Sequence, residues 1–264
     1  MSIPSCFKLS IIVIGVCKQE IFSTIQSIPF ALNCPQVQIV VVLPSDVILD
    51  FPIGLNFEIV HDQKLGIYPA MNAGILASKG DFLWFLNSGD HSAFNSGKDF
   101  INFLGLLDSS EIQPKLFFCS RSLFDSVKFF NCFSKSNLQK FLRLVFVLQI
   151  FPVSHQNIIY PSFWHPLFSQ EYKLSADFFI TYSLILCQLV DITIYPDCIA
   201  INNPDGVSNF NRFEVLSERY SASQVLYKSP VLSTCAFFLR LVYLVITVII
   251  KRIIKLFPWF TPCF

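Results

Sequence analysis

Charge is scarce in this sequence, and the two signs almost cancel. Asp, Glu, Lys and Arg make up 14% of the 264 residues, with 19 basic side chains against 18 acidic ones. Because nucleic-acid-binding proteins usually carry a basic surface that neutralises phosphates, this balance argues against a nucleic-acid partner. Apolar residues make up 53% of the chain, which at this length is enough to bury a sizeable core.

Cysteine is present, but not at the spacings that bind metals. The nine cysteines include no Cys-x-x-Cys pair and no Cys/His cluster, and their number is odd. This pattern is typical of reduced cytoplasmic thiols and argues against a structural zinc site. A secretory signal also lacks support, because the apolar run 9–16 is preceded only by Lys8 and no small-residue cleavage site follows it. We therefore expect a cytoplasmic protein in which this run is a buried strand.

The first half of the chain alternates between apolar strands and short helices. Helices are expected at 19–28 and 68–78, and the strands at 11–16, 38–44, 57–60 and 81–87. Continuous apolar strands separated by helices predict an α/β fold with a mostly parallel sheet that is covered on both faces. In such sheets ligands bind at the carboxyl ends of the strands.

The pattern is weaker after residue 91. Strands are expected at 115–120 and 191–197 and a helix from about residue 176, whereas 92–140 is difficult to assign and 154–168 is aromatic and irregular. Residues 142–153 form an apolar helix or an interfacial segment that ends near Pro152.

Residues 230–264 contain no acidic side chain, which sets this apolar tail apart from residues 1–229. Its basic residues are Arg240, Lys251, Arg252 and Lys255. The run 231–250 is long enough to cross a bilayer, but Arg240 lies in its middle, where a charge is costly. We therefore favour a helical tail that lies in the plane of a membrane surface. A spanning helix and a helix buried in the protein or in an oligomer remain alternatives.

One run, residues 66–90, carries a specific motif: GIYPAMNAGILASKGDFLWFLNSGD. It resembles the signature of family 2 glycosyltransferases, which have the GT-A fold, and is closest to their bacterial exopolysaccharide and colanic-acid branch. Three later segments match in the same order: 155–156 (HQ), 173–177 (KLSAD) and 205–208 (DGVS). The resemblance covers roughly residues 8–220 and leaves out the tail.

The resemblance implies a nucleotide-sugar donor whose diphosphate is neutralised by a divalent cation, Mn²⁺ or Mg²⁺. Such a cation is bound by one or two carboxylates. Asp90 follows a buried strand and is the expected ligand, and Asn87 stands where many relatives carry a further Asp. On its own, Asn-Ser-Gly-Asp is also an ordinary turn sequence.

The resemblance also assigns a general base, Asp177, which would take the proton of the acceptor hydroxyl. The alternative is that Asp177 is a helix cap or a first-turn acid. His155 and Gln156 match a His-Gln pair near the active centre and could contact phosphate or acceptor. Asn72 is expected to contact the nucleotide or to brace the Asp90 loop, and Ser208 to lie near the donor.

Two turns depart from the family pattern on the nucleotide side. Relatives have an Asp-rich turn after the second strand, where this chain has Leu43 and only Asp46 as a late substitute. In the next turn Lys64 replaces the usual Asp, and Asp62 is a shifted substitute. We expect Asp46 and Asp62 to contact the donor.

The expected function is an inverting glycosyltransferase, peripheral on the cytoplasmic membrane surface, that extends a lipid-linked glycan of a cell-surface polysaccharide. The two altered turns support an alternative, a catalytically degenerate GT-A protein acting as a scaffold in glycan assembly. A pyrophosphorylase needs a Gly-rich basic loop after its first strand, whereas residues 15–20 read GVCKQE. The oligomeric state is not predicted.

Overall fold

A computed structural model of the protein describes residues 7–48, 56–107, 114–121, 123, 125, 141–142, 145, 153–203, 211–227 and 229–256. The strands are β1 (Phe7–Ile14), β2 (Val37–Pro44), β3 (Phe57–Asp62), β4 (Gly80–Asn87), β5 (His91–Ser92), β6 (Lys115–Cys119), β7 (Ile158–Pro161), β8 (Asp191–Tyr195) and β9 (Ala200–Ile201). The α-helices are α1 (Lys18–Gln26), α2 (Pro29–Leu32), α3 (Ile67–Ala77), α4 (Gly97–Leu106), α5 (Ala176–Leu186), α6 (Arg212–Tyr227) and α7 (Pro230–Leu256), and two short 3₁₀ helices span His155–Asn157 and Ser162–Trp164.

Seven strands form one sheet in the order β3-β2-β1-β4-β7-β6-β8. Strands β1 to β4 are mutually parallel, and β6 pairs in parallel with β8. Only β7 runs in the opposite direction, antiparallel to both β4 and β6. The expectation of an α/β fold with a mostly parallel central sheet is therefore confirmed.

The sheet is covered on both faces because successive side chains of its strands point to opposite sides. Ile12, Val42 and Phe85 belong to the apolar core that also includes residues of α3 and α5. Ile11 and Trp84 belong to the second core, on the side of α1 and α4. Each fully buried large side chain contributes about 1.5–3 kcal/mol, so these two layers supply most of the driving force for folding.

Two glycines of the motif run serve this packing. A Cβ at Gly74 would lie 2.4 Å from Cγ2 of Ile12, so the glycine lets α3 approach β1 closely. A Cβ at Gly80 would lie 2.5 Å from the backbone nitrogen of Ser10. The Gly80 N–H donates to Ser10 Oγ, which donates in turn to Gln38, and these bonds hold the start of β4 against its neighbours.

Strand β7 was not predicted, because it lies in the segment expected to be irregular. It has only four residues and ends on a proline, and such a short run carries too little periodicity to be recognised. Helix α4, in the unassigned region, has a Ser96 N-cap whose side chain accepts from the Asp99 N–H. Most of the helix expected at 142–153 lies outside the described residues.

The tail contains a helix, α7, that begins at Pro230 and packs against α6. The rings of Tyr220 and Phe237 lie 5.0 Å apart, and the Tyr220 hydroxyl is 3.1 Å from Thr234 Oγ1. Among the described residues, no helix meets the length and apolarity that crossing a membrane requires. The exposed apolar side chains of α7 include Val231, Leu232, Phe238, Leu239, Val242, Val245 and Ile246.

Candidate functional site

The candidate site lies at one edge of the sheet, where the parallel strands β1 to β4 all end. Asp62 is the last residue of β3 and Asn87 the last residue of β4, and the loops after β2 and β4 carry Asp46 and Asp90. Topology alone brings these positions together, because the carboxyl ends of parallel strands share an edge.

Asp90 is buried at this edge, and protein N–H groups surround its carboxylate. Oδ2 accepts hydrogen bonds from the Asn87 N–H (3.0 Å) and from Gln156 Nε2 (2.9 Å), and Oδ1 accepts from the Asn203 N–H (2.8 Å). Only 2% of the residue is exposed. Hydrogen bonds to a carboxylate are roughly twice as strong as neutral ones. Asp90 therefore joins two other segments, at Gln156 and at Asn203, to the end of β4.

The turn before Asp90 is held against α1. Ser88 Oγ donates to Glu20 Oε2, and the Gly89 N–H donates to Thr24 Oγ1, both at 2.9 Å. Gly89 has φ 87°, a backbone conformation that favours glycine, and a Cβ there would lie 2.7 Å from Asn203 Nδ2, so that side chain would have to move. The buried Oδ1 of Asn87 has no hydrogen-bond partner among the described residues.

A divalent cation does not fit the described residues as they are arranged. Such an ion needs several oxygen ligands, whereas both oxygens of Asp90 already accept N–H groups. The part of the chain that the structure describes contains no group of three or more His, Cys, Asp or Glu that could hold a metal. The role of Asp90 as a cation ligand stays a prediction.

A second carboxylate, Asp177, lies in the first turn of α5. Its Oδ1 accepts a hydrogen bond of 2.9 Å from the Tyr68 hydroxyl, and its Oδ2 lies 3.5 Å from Nδ1 of His155. Ser175, not Asp177, is the N-cap residue of this helix. The cap interpretation is therefore wrong in its strict form, whereas the first-turn position is confirmed.

Tyr68 was not predicted as a site residue, although the motif run contains it. Its side chain is buried, and burial, followed by the charge of Asp177, raises its pKa well above the ordinary value. The phenol thus stays protonated and donates a hydrogen bond to the carboxylate. The Gly-Ile-Tyr match was the available signal, but no residue pattern links position 68 to position 177.

His155 and Gln156 form one turn between the two carboxylates. His155 faces Asp177 and Gln156 donates to Asp90. The turn is anchored on both sides, because Trp84 Nε1 donates to the Gln156 carbonyl (2.8 Å) and Asn157 Oδ1 accepts from the Ile199 N–H (2.8 Å). Nε2 of His155 is buried and has no hydrogen-bond partner among the described residues.

Asn72 braces a different segment from the one expected. Its Nδ2 donates to the Phe168 carbonyl (2.9 Å), and its Oδ1 accepts from the Phe168 N–H (2.7 Å). This reciprocal pair holds the chain at Phe168, whose ring lies 5.2 Å from that of Tyr68. Asn72 therefore supports the Tyr68 side of the site and not the Asp90 loop.

His165, in the aromatic segment 154–168, is buried. Its ring lies 4.7 Å from Tyr160, 5.0 Å from Phe168 and 5.6 Å from Phe85. Burial lowers its pKa to about 4, so the ring is neutral near neutral pH. Trp164 remains 40% exposed.

The two altered turns on the nucleotide side are bonded to each other. Lys64 Nζ lies 2.8 Å from Asp46 Oδ2, and the Lys64 N–H donates to Asp62 Oδ1 at 3.3 Å. The hydrogen bond from Lys64 is the main reason why the pKa of Asp46 is lowered. Asp46 and Asp62 thus lie at the edge where β1 to β4 end, and both contact Lys64. Their contact with the donor stays a prediction. Ser208 lies outside the described residues.

Comparison with known proteins identifies the fold. No family model matches the chain, and no curated protein matches its sequence. Among solved structures, S. aureus TarS 1-349 is 15% identical, with a TM-score of 0.55 over 88% of this chain and 69% of that one. The same protein in complex with UDP-GlcNAc gives a TM-score of 0.56 at 14% identity, over 88% of this chain and 70% of that one.

The chain has a GT-A fold. A further match is glucosyl-3-phosphoglycerate synthase from Mycobacterium tuberculosis with Mn²⁺ and UDP-glucose, at a TM-score of 0.47 and 14% identity over 81% of this chain and 79% of that one. The likeness to TarS, at 14–15% identity, is one of fold, and it confirms the expected GT-A architecture.

Proposed function

We propose that this protein is a glycosyltransferase that moves a sugar from a nucleotide-diphosphate donor to an acceptor hydroxyl, with inversion at the anomeric carbon. The observation that carries the proposal is the buried contact of Asp177 with Tyr68 and His155, at the edge of the sheet where α/β proteins bind ligands. The fold adds support, since TarS, which shares it, was crystallised with UDP-GlcNAc. We extend the proposal to the family 2, exopolysaccharide-type transferases that the motif run resembles.

In the proposed reaction, Asp177 is the general base. The acceptor oxygen attacks the anomeric carbon, its proton passes to Asp177, and the bond between that carbon and the diphosphate breaks, so that the nucleoside diphosphate leaves with the bonding electrons. Tyr68 holds Oδ1 through its hydroxyl, which leaves Oδ2, on the His155 side, as the oxygen that takes the proton. Tyr68 and His155 thus orient the base.

The donor would bind along the loops that follow β1 to β4, near Asp46, Asp62 and Asn87. Oδ1 of Asn87, which has no hydrogen-bond partner in the part of the chain that the structure describes, would accept a hydrogen bond from a donor hydroxyl. Mn²⁺ or Mg²⁺ remains the predicted cofactor, and when bound it would neutralise charge on the departing diphosphate. Because the described residues do not form a cation site, we assign no step to it.

We further propose that the acceptor is a lipid-linked glycan on the cytoplasmic membrane surface, where α7 holds the enzyme. Helix α7 exposes several apolar side chains, and residues 230–264 contain basic residues but no acidic ones. An apolar helix face flanked by positive charge suits an anionic lipid surface. The enzyme would then be peripheral on the inner face of the plasma membrane.

A thermal-shift screen tests the transferase proposal. Detergent-solubilised protein is combined with UDP-, GDP-, CMP- and dTDP-sugars, each with and without Mn²⁺. A donor at 100 times its dissociation constant stabilises the folded state by about 2.7 kcal/mol, which is readily measured. A shift with one nucleotide identifies the donor class, and release of the matching nucleoside diphosphate on adding acceptor then demonstrates turnover.

The scaffold alternative has one observation in its favour. Asp46 and Asp62 both engage Lys64, so these carboxylates are occupied within the protein. A scaffold predicts that no nucleotide sugar shifts the melting temperature of folded protein, and that Lys64→Met, which releases the Asp46 carboxylate from the lysine side chain, changes nothing in that screen. A transferase predicts binding in the wild type and altered donor affinity in Lys64→Met.

A further inference from the structure

The two buried carboxylates of the site contact consecutive residues of one short turn. Gln156 Nε2 donates to Asp90 Oδ2 at 2.9 Å, and His155 Nδ1 lies 3.5 Å from Asp177 Oδ2. Consecutive Cα atoms are only about 3.8 Å apart, so the bonds that anchor Gln156 also restrict the backbone position of His155. The turn therefore links the geometry at Asp90 to the geometry at Asp177.

The side-chain bond to Asp90 complements the backbone anchors of this turn. Trp84 Nε1 donates a hydrogen bond to the Gln156 carbonyl. Asn157 Oδ1 accepts hydrogen bonds from the Ile199 and Ala200 N–H groups, at the start of β9. Both of these contacts are between neutral groups. The Asp90 carboxylate adds a charged hydrogen bond between the turn and the loop after β4, and it also accepts a hydrogen bond from the Asn203 N–H.

We propose that Asp90 is a positioning residue that acts through Gln156: its buried carboxylate holds the His155-Gln156 turn so that His155 stays against Asp177. Asp90 carries out this role without a cation, since both of its oxygens are committed to N–H donors. The effect on turnover rests on the proposed transferase function. The effect on the position of His155 does not.

The geometry also explains why a carboxylate is needed at position 90. Three N–H donors converge on it, and two of them share Oδ2. In Asp90→Asn one oxygen becomes an NH₂ group. If that group replaces Oδ2, it is a donor that faces the N–H donors of Asn87 and Gln156, and these lose their acceptor. In the double variant Asp90→Asn/Gln156→Glu the new amide donates to the new carboxylate, which restores the link to position 156 with its polarity reversed but leaves the Asn87 N–H without its acceptor.

The first experiment follows the His155 ring directly, by NMR of the histidine Cε1–H signals in the full-length protein. The chain has four histidines, and His155→Gln assigns the relevant signal. We expect the His155 signal to shift in Gln156→Ala and in Asp90→Asn, and to return toward its wild-type position in the double variant. Gln36→Ala, the same chemical change at an exposed glutamine, should leave the signal unchanged.

The second experiment measures turnover against pH together with donor binding. A displacement of about 1 Å can cost up to about 10²-fold, so we expect kcat to fall about 10- to 100-fold in the two single variants, with a changed pH profile. The dissociation constant of the donor, with and without Mn²⁺, should remain within about twofold of wild type. The double variant should recover part of the lost kcat.

An unmoved His155 signal in folded single variants would overturn the proposal. So would an Asp90→Asn protein that keeps the His155 signal but loses Mn²⁺-dependent donor binding, because Asp90 would then be a cation ligand. If Asp90→Asn does not fold, Gln156→Ala and Gln156→Glu provide the same test. If the wild type neither binds nor turns over a donor, the transferase proposal fails, and the NMR comparison still decides the role of Asp90.

Discussion

Tyr68 and Asp177 are separated by 109 positions in the sequence and form a buried hydrogen bond of 2.9 Å. Both are almost completely buried, at 5% and 7% exposed respectively. Tyr68 comes from the first turn of α3 and Asp177 from the first turn of α5, so the bond connects the motif run to the C-terminal half of the candidate site.

Replacing Tyr68 with phenylalanine should reduce turnover without unfolding the protein. The change removes a hydrogen bond to a buried carboxylate, worth about 1.5–3 kcal/mol, and leaves the ring packing in place. If that energy orients the base, kcat falls about 10- to 100-fold, and steady-state kinetics would measure it. Tyr160→Phe is the matched control, because it loses a hydroxyl contact to Thr181 and not to Asp177. Equal losses of kcat in the two variants would contradict a specific role for Tyr68.

Asp177→Asn should separate chemistry from donor binding. Removing a general base usually costs about 10²-fold or more in turnover, whereas the amide is nearly the same size and can still accept from Tyr68. Donor affinity in the thermal-shift assay should therefore stay at the wild-type value. A loss of turnover below about threefold would leave Asp177 with its first-turn role alone.

His165 should make stability depend on pH in the acidic range. Burial holds its pKa at about 4 in the folded protein, against 6.5 as the ordinary value. Above pH 6.5 the ring is neutral in both states. As pH falls from 6.5 to 4, the unfolded chain takes up a proton that the folded protein does not, and stability is lost. The total is about 3 kcal/mol.

The measurement is the free energy of unfolding of wild type and His165→Phe between pH 7 and pH 4. The variant keeps an aromatic ring among Phe85, Tyr160 and Phe168 and cannot be protonated. Its stability should fall less steeply than that of the wild type over this range. Parallel curves would show that burial does not depress the pKa of His165 as described.

The membrane proposal predicts that binding to lipid depends on the basic end of α7. Lys251→Gln together with Lys255→Gln removes two positive charges, each worth about 1 kcal/mol near an anionic surface. Sedimentation with vesicles containing about one-third anionic lipid should show binding roughly 30-fold weaker, and high salt should weaken wild-type binding in the same way. Lys98→Gln, at an exposed position on α4, is the control. Unchanged sedimentation of the double variant would argue for a helix that packs only within the protein.

The sequence predicted the first half of the fold closely because the signals there are local. Strand β4 and helix α3 occur within one residue of their expected bounds, as the apolar runs, the glycines and the period of the pattern all lie within short windows. The motif run contains Asp90, and the two later segments that match the same family, 155–156 and 173–177, contain His155, Gln156 and Asp177. The six cysteines that the structure describes are free.

The contacts among those residues were decided by tertiary structure alone. Strand β7 is too short to show a period, yet its pairing with β4 brings His155 and Gln156 to the edge of the sheet. A sequence can show that Asp90 follows a strand, but not that Gln156 and Asn203 would occupy its oxygens. Nor could the sequence show that Asp46 and Lys64, which both differ from the family pattern, form an ion pair between neighbouring loops. Hydrogen bonds depend on distances of a few tenths of an ångström between segments far apart in the chain, and only the packed fold sets them.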